Sequence, residues 1–351
     1  MKGDIITFDV EKRKDPQTGV EVTRVTDNHG ETDHPYFTAS QITSDSTQLI
    51  VFNNRTGVKQ LYAISLNEGK MIQLTQEAKG TNSGCLDINN RKAYYFGGRT
   101  LKSVHLDDHT EEELMDIPEG FEAASLSCTN DGRYVAFTMM EVANMELCTF
   151  PFESEYQGGS KGFREKFFRW PSSVIMRFDT EKQSPYVVTG ELHRMTHVII
   201  HPLDGNVVLF CHEGPWQLVQ RMWVAKVSTD EVTPLIETKR NLERAGHEFF
   251  CADGRVGAQY SYRYRPDMNY IHHADIYVNT DGSNERRYYY PYQRTSHVQA
   301  HPTQNIGVGD GAHIREDQKD GRNYMSLIQY DDEHHQAKVG LLCEHGTSWK
   351  K

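Results

Sequence analysis

Short apolar runs closed by turn residues recur along the whole chain. One set carries a polar turn before an apolar stretch: "QITSDSTQLIVF", "LDINNRKAYYF", "LSCTNDGRYVAF", "IIHPLDGNVVLF", "FFCADGRVGAQY" and "QAHPTQNIGVGD". Each is followed by a second strand pattern, such as "QLYAISLNEG" or "MWVAKVSTDE", and then by a third, such as "KMIQLTQ" or "KVGLLC". Short alternating strands separated by Asp, Asn and Gly turns are the signature of antiparallel hairpins. Antiparallel four-stranded units repeating every roughly 40–50 residues predict the blades of a β-propeller. The predicted fold class is therefore all-β, a single propeller domain over residues 1–351.

Six units are complete in the sequence. The N-terminal "IITFDVEKRKDPQTGVEVTRVTD" matches the second and third strands of a further unit, with "KDPQTG" as its turn. That pattern predicts a seven-bladed type in which the C-terminus returns to supply the inner strands, yet the chain stops after "KVGLLCEHGTSWKK". The last blade is expected to be incomplete. One interval is longer than a hairpin requires, and it predicts an insertion or flap at about residues 143–173. Its "KGFREKFFRW" carries Lys161, Arg164, Lys166 and Arg169 among aromatic residues. It reads either as a surface loop or as a basic lid over an anionic ligand.

The formal net charge of −11 argues against nucleic acid or a membrane surface as partner. The charged N-terminus has no apolar leader and no run is long enough to span a bilayer. The six scattered cysteines include no C-x-x-C and read as reduced thiols, which predicts a cytoplasmic protein. No G-x-S-x-G elbow, phosphate-binding loop or dinucleotide fingerprint is present.

Histidines gather where strands open the units: His34 in "TDHPYF", His197 in "THVIIHP", His247 in "AGHEFF" and His297 in "TSHVQAHP". Any one of them reads as a strand-end hydrogen bonder; several converging on one face would make a metal or general-base site. The stretch "CHEGPWQLVQRMW" sets His212, Glu213 and Arg221 between two strand patterns, where a plain hairpin would use Gly, Asn or Asp. Arg221 paired with Glu213 would be the purely structural outcome.

The blocks "FCHEGPW…RMW", "GHEFFCADG", "SHVQAHP…VGDG" and "HGTSW" together resemble the oligogalacturonate lyase family, and the resemblance runs nearly end to end. It implies β-elimination of short oligogalacturonates in pectin breakdown, assisted by a divalent metal, typically Mn2+. It assigns His247 as general base, Arg221 as the group stabilising charge on the carboxylate, and His297 as a metal ligand. His212 and His34 fall in blocks that look like substrate-facing loops, and Arg169, from the basic stretch of the insertion, joins them as a candidate substrate contact. The family's other metal ligands come from a Gln-x-x-His-x-His stretch that would follow "HGTSW", where this chain ends. With His297 as its single family ligand, the chain is not expected to hold manganese strongly. The alternative to a lyase is a non-catalytic sugar-acid binder on the same scaffold; a protein-interaction propeller is a third reading.

Overall fold

The computed structural model describes residues 1–142, 169–215, 218–238, 243–262, 271–291, 295–311 and 323–345. Most of the expected flap, with Lys161, Arg164 and Lys166, lies outside the described residues, as does the "GTSW" of the last motif. Among the described residues every regular element is a strand.

The N-terminal segment forms β1 (Ile5–Thr7), β2 (Glu11–Lys14) and β3 (Glu21–Arg24), then β4 (Thr32–Asp33) opens the first sheet with β5 (Gln48–Asn53), β6 (Gln60–Ser65) and β7 (Lys70–Gln73). The second sheet holds β8 (Thr81–Asp87), β9 (Lys92–Gly97), β10 (Thr100–His105) and β11 (Glu111–Asp116). The third holds β12 (Phe121–Cys128), β13 (Tyr134–Glu141), β14 (Ser172–Asp179) and β15 (Ser184–Leu192). The fourth holds β16 (Met195–Ile200), β17 (Val207–His212), β18 (Met222–Lys226) and β19 (Glu231–Pro234).

Two further meanders follow. One is β20 (Glu243–Phe250), β21 (Val256–Tyr262), β22 (His272–Val278) and β23 (Arg286–Tyr289); the other is β24 (Val298–Ala300), β25 (Ile306–Gly309), β26 (Asn323–Asp331) and β27 (Gln336–His345). A single parallel pairing, Tyr289 with Gln336, joins these two into one eight-stranded sheet. Five of the six expected units recur as four-stranded meanders; in the first, the expected opening strand "QIT" makes only an isolated bridge, Ile42 with Leu49, and Thr32–Asp33 pairs with β5 instead.

Contacts gather into two compact units. The first comprises Met1–Glu11, Arg24–Val219 and Trp223–Thr233; the second comprises Lys12–Thr23, Gln220–Met222 and Pro234–Lys351.

Within the first unit, the apolar runs that mark the strands explain how the sheets stack. Successive residues of a strand point to opposite faces. In β9, Ala93 and Tyr95 enter a core with Ile50, Phe52 and Leu61 of the first sheet. Their neighbours Tyr94 and Phe96 enter a different core with Leu126, Val135 and Phe137 of the third. In β13, Val135 and Phe137 serve that second core while Ala136 joins Val198, Ile200 and Phe210 of the fourth sheet. Central strands buried on both faces need unbroken apolar runs, which is why "AYYF" and "YVAF" lack the alternation of a half-exposed strand.

The first strand of four sheets carries the same irregularity. Register shifts fall between Asn82 and Gly84, Ala124 and Ser127, Thr196 and Ile199, and Gly246 and Phe249. Inside each shift one residue has a left-handed backbone: Ser83 (φ 47°), Ser125 (φ 57°), His197 (φ 52°) and His247 (φ 53°). A bulge of this kind bends the strand and re-aims the side chain it carries.

The N-terminus departs from expectation in one respect. The "KDPQTG" turn does join a hairpin, β2 with β3. Ile5–Thr7, however, is not part of it. It pairs antiparallel with Lys70–Gln73 as an outer strand of the first sheet, Ile6 opposite Met71. The reason is apolar: Ile6 and Phe8 pack against the cluster of Val51, Tyr62, Ile64 and Met71.

The hairpin tip is held by the last strand. Asp15 Oδ2 accepts from the Glu344 amide at 2.9 Å, Thr18 Oγ1 donates to the Leu342 carbonyl at 2.6 Å, and the Tyr324 hydroxyl donates to Gln17 at 2.7 Å. Within the second unit, residues 15–18 are thereby tied to β26 and β27.

Candidate active site

In the second unit, the bulge in β20 sets His247 beside β21. His247 Nδ1 lies 2.7 Å from Gln259 Oε1, and Gln259 Nε2 donates to the Thr295 carbonyl at 2.8 Å. The carbonyl can only accept, so the Gln259 amide is oriented with its oxygen toward the imidazole. Nδ1 of His247 therefore carries the proton, and Nε2 carries the lone pair. Gln259 is buried, which makes this orientation rigid. Phe249 anchors the strand just past the bulge. Its ring lies over Gly257, where an added Cβ would come within 2.3 Å of it.

His297 stands next to His247, with ring centroids 4.5 Å apart. Its backbone amide donates to Asp310 Oδ1 at 2.7 Å, and its Nδ1 lies 3.1 Å from both Asp310 oxygens. Burial pushes the Asp310 carboxyl up, but hydrogen bonding and charge from His297 outweigh it and leave the group below its ordinary value. The carboxylate thus holds the Nδ1–H tautomer and presents Nε2 as the donor nitrogen, the usual support of a metal-ligating histidine. His345, at the end of β27, also interacts electrostatically with Asp310. Its Nε2 is buried with no hydrogen-bond partner among the described residues, and burial lowers the pKa of the ring.

Arg221 faces Glu248, the neighbour of His247, through Nε–Oε2 and Nη2–Oε1 contacts of 3.5 Å each. The Glu248 side chain is fully buried and Arg221 nearly so. Glu248, which the sequence reading did not single out, is the carboxylate opposite Arg221, where Glu213 had been considered.

Glu213 belongs to a separate cluster in the first unit. Its Oε1 lies 3.1 Å from His197 Nε2, accepts from the Thr196 hydroxyl at 2.8 Å, and lies 3.6 Å from Cys211 Sγ. Tyr36 meets the His197 ring edge-on at 5.2 Å.

The three expected substrate-facing residues take different positions in this unit. His212 is buried among rings, with centroids 4.4 Å from His193 and 5.0 Å from Trp223. Burial drops its pKa to about 4. The Glu191 carboxylate 3.4 Å from Nε2 does not reverse this, being itself substantially exposed. His34 is exposed and its Nδ1 lies 2.6 Å from the carbonyl of Pro35. Arg169 is half-buried at the edge of the described residues.

The structure thus brings together His247 and His297 and sets Arg221 opposite the carboxylate that follows His247. Gln259, Asp310, Glu248 and Cys211 were not assigned roles from sequence. The expectation of reduced thiols holds for the described cysteines, Cys85, Cys128, Cys211, Cys251 and Cys343, all of which are free.

Comparison with known proteins agrees along the whole chain. The sequence profile of the family described as Oligogalacturonate lyase matches residues 1–350. An oligogalacturonide lyase of Pectobacterium atrosepticum is 27% identical over 363 residues, covering 99% of this chain and 88% of that protein. An oligogalacturonate lyase of Dickeya dadantii is 26% identical with the same coverage. Among solved structures, an oligogalacturonate lyase in complex with manganese superposes with a TM-score of 0.82 at 23% identity, covering 100% of this chain and 88% of the other. One from Vibrio parahaemolyticus gives 0.81, also at 23% identity and with the same coverage. These likenesses establish the fold class as the β-propeller of those structures.

Proposed function

The chain belongs to the oligogalacturonate lyase family, and we propose that it cleaves short α-1,4-linked galacturonate oligomers by β-elimination, with His247 as base and Arg221 as carboxylate anchor. The observation that carries the assignment of roles is the Thr295–Gln259–His247 chain of hydrogen bonds, which leaves Nε2 of a fixed imidazole as the basic nitrogen.

The proton to be removed is on C5, α to the uronate carboxylate. As the C5–H bond breaks, its electron pair forms the C4–C5 double bond and the C4–O bond to the neighbouring sugar breaks, that oxygen leaving with its pair and then taking a proton. Charge builds on the carboxylate in the transition state, so a guanidinium held against it lowers the barrier. Arg221 suits that task because its guanidinium presents a planar fork of donors that matches a carboxylate in geometry. His247 Nε2 takes the proton, and Gln259 keeps the ring from turning its protonated nitrogen toward the substrate.

The manganese of the related structure raises the question of a cation here. His297, backed by Asp310, fits one ligand position, and the buried ring of His345 lies in the field of the same carboxylate. A divalent cation bound at His297 would supply further stabilisation of charge on the uronate carboxylate.

The test is ultraviolet absorbance of the unsaturated uronate from digalacturonate, with manganese and with EDTA, for the parent and His247→Ala. Product from the parent alone supports the proposal. Binding of digalacturonate without product, with circular dichroism unchanged, overturns it in favour of a sugar-acid binder.

A further inference from the structure

We infer that His197, Cys211 and Glu213 form a binding site for a borderline-soft divalent cation of the zinc class, built into the fourth sheet. One donor atom from each of the three lies within 4.8 Å of the others, and this is the one such group among the described residues.

The edge lengths are the first argument. Zinc–nitrogen and zinc–oxygen bonds near 2.0–2.2 Å and a zinc–sulfur bond near 2.3 Å, set at tetrahedral angles, place N and O about 3.3 Å apart and S and O about 3.6 Å apart. The His197 Nε2 to Glu213 Oε1 distance is 3.1 Å, and Cys211 Sγ to Glu213 Oε1 is 3.6 Å. Two of the three edges already stand close to ligand spacing, and the third, His197 to Cys211, lies within 4.8 Å.

The second argument is how they are held. Cys211 and Glu213 are fixed at the end of β17 and just beyond it, both buried. His197 occupies the bulge of β16, whose left-handed backbone turns the ring to the same spot. Its side chain is 24% exposed, so the group can be reached from solvent.

Donor chemistry then selects the ion. One thiolate, one imidazole and one carboxylate suit zinc, whereas manganese favours oxygen-rich shells. Three protein ligands leave the fourth tetrahedral position to water or an anionic oxygen. Without a cation, the same carboxylate accepts from the Thr196 hydroxyl. Metal binding displaces the thiol proton, so uptake releases acid and strengthens with pH.

The experiment uses the full-length chain freed of metal by a chelator and titrated with Co2+, followed by displacement with Zn2+. The expected result is stoichiometric cobalt uptake with a near-ultraviolet thiolate-to-cobalt band. The band should persist in His297→Ala, vanish in Cys211→Ser and need at least about tenfold more cobalt in Glu213→Gln. Both of the last two substitutions conserve side-chain size, and circular dichroism checks their fold. Absence of the band in the folded parent overturns the inference, and so does a band that survives in Cys211→Ser.

Discussion

Gln259 Oε1 accepts from Nδ1 of His247 across 2.7 Å, and that contact decides which imidazole nitrogen is basic. His247→Ala is therefore expected to cost about 10²–10⁴-fold in kcat. Gln259→Leu retains the imidazole and loses its orientation, so kcat should fall by less while KM for digalacturonate changes little. Steady-state kinetics on the two variants separates the roles. Equal kcat in parent and Gln259→Leu would remove Gln259 from the mechanism.

Arg221→Lys keeps a positive charge but not the planar fork. A loss of roughly 10²–10³-fold in kcat is expected, the scale of removing one donor that acts on developing charge. Arg221→Ala should in addition lower the melting temperature, because the guanidinium facing the buried Glu248 is gone. Thermal melts beside kinetics distinguish the two effects; a Lys variant as active as the parent refutes the carboxylate role.

Burial holds His212 at about 4, against 6.5 for a free ring. Between those values the unfolded chain binds the proton and the folded chain does not. The contribution of His212 to stability is thus complete above pH 6.5 and is lost as pH falls toward about 4. The full depression corresponds to about 3 kcal/mol. Melting curves of the parent and His212→Phe at pH 7 and pH 5 should show a smaller drop for the variant. Parallel drops would mean that other groups carry the acid sensitivity.

The amide of Glu344 and the amide and hydroxyl of Thr18 hold Asp15 at about 2. A depressed carboxyl of this kind stabilises above its unfolded pKa and loses that contribution as pH falls toward 2. Asp15→Ala should accordingly speed amide exchange in β27, above all at Glu344, although that strand lies at the opposite end of the chain. Unchanged protection at Glu344 would show that the N-terminal hairpin does not hold the last strand.

Much of this architecture is legible in the sequence because central strands buried on both faces leave continuous apolar runs. "AYYF" announces β9 before any contact is known. His197 and His297 are likewise visible, since they share a register ahead of their turns, with His247 within one position of it. The supporting groups are not. Gln259 sits inside the apolar "VGAQY", and only the pairing of β20 with β21 reveals that its amide faces His247. The bulges also escape notice, for the left-handed residues are Ser and His where a reader looks for Gly or Asn. That blind spot hid the turning of His197 onto Glu213. His212 shows a further limit: its place at the end of a strand pattern does not reveal that its ring stands against those of His193 and Trp223.

The bulged residues Ser83, Ser125, His197 and His247 occupy matching places in successive repeats. The backbone distortion therefore recurs with the repeat, whichever side chain stands on it. A duplication that copies a blade copies a ready-made socket, and a single codon change then decides whether the socket holds a hydroxyl or an imidazole. On this scaffold new chemistry can be gained or lost at one repeat while the neighbouring repeats keep the fold.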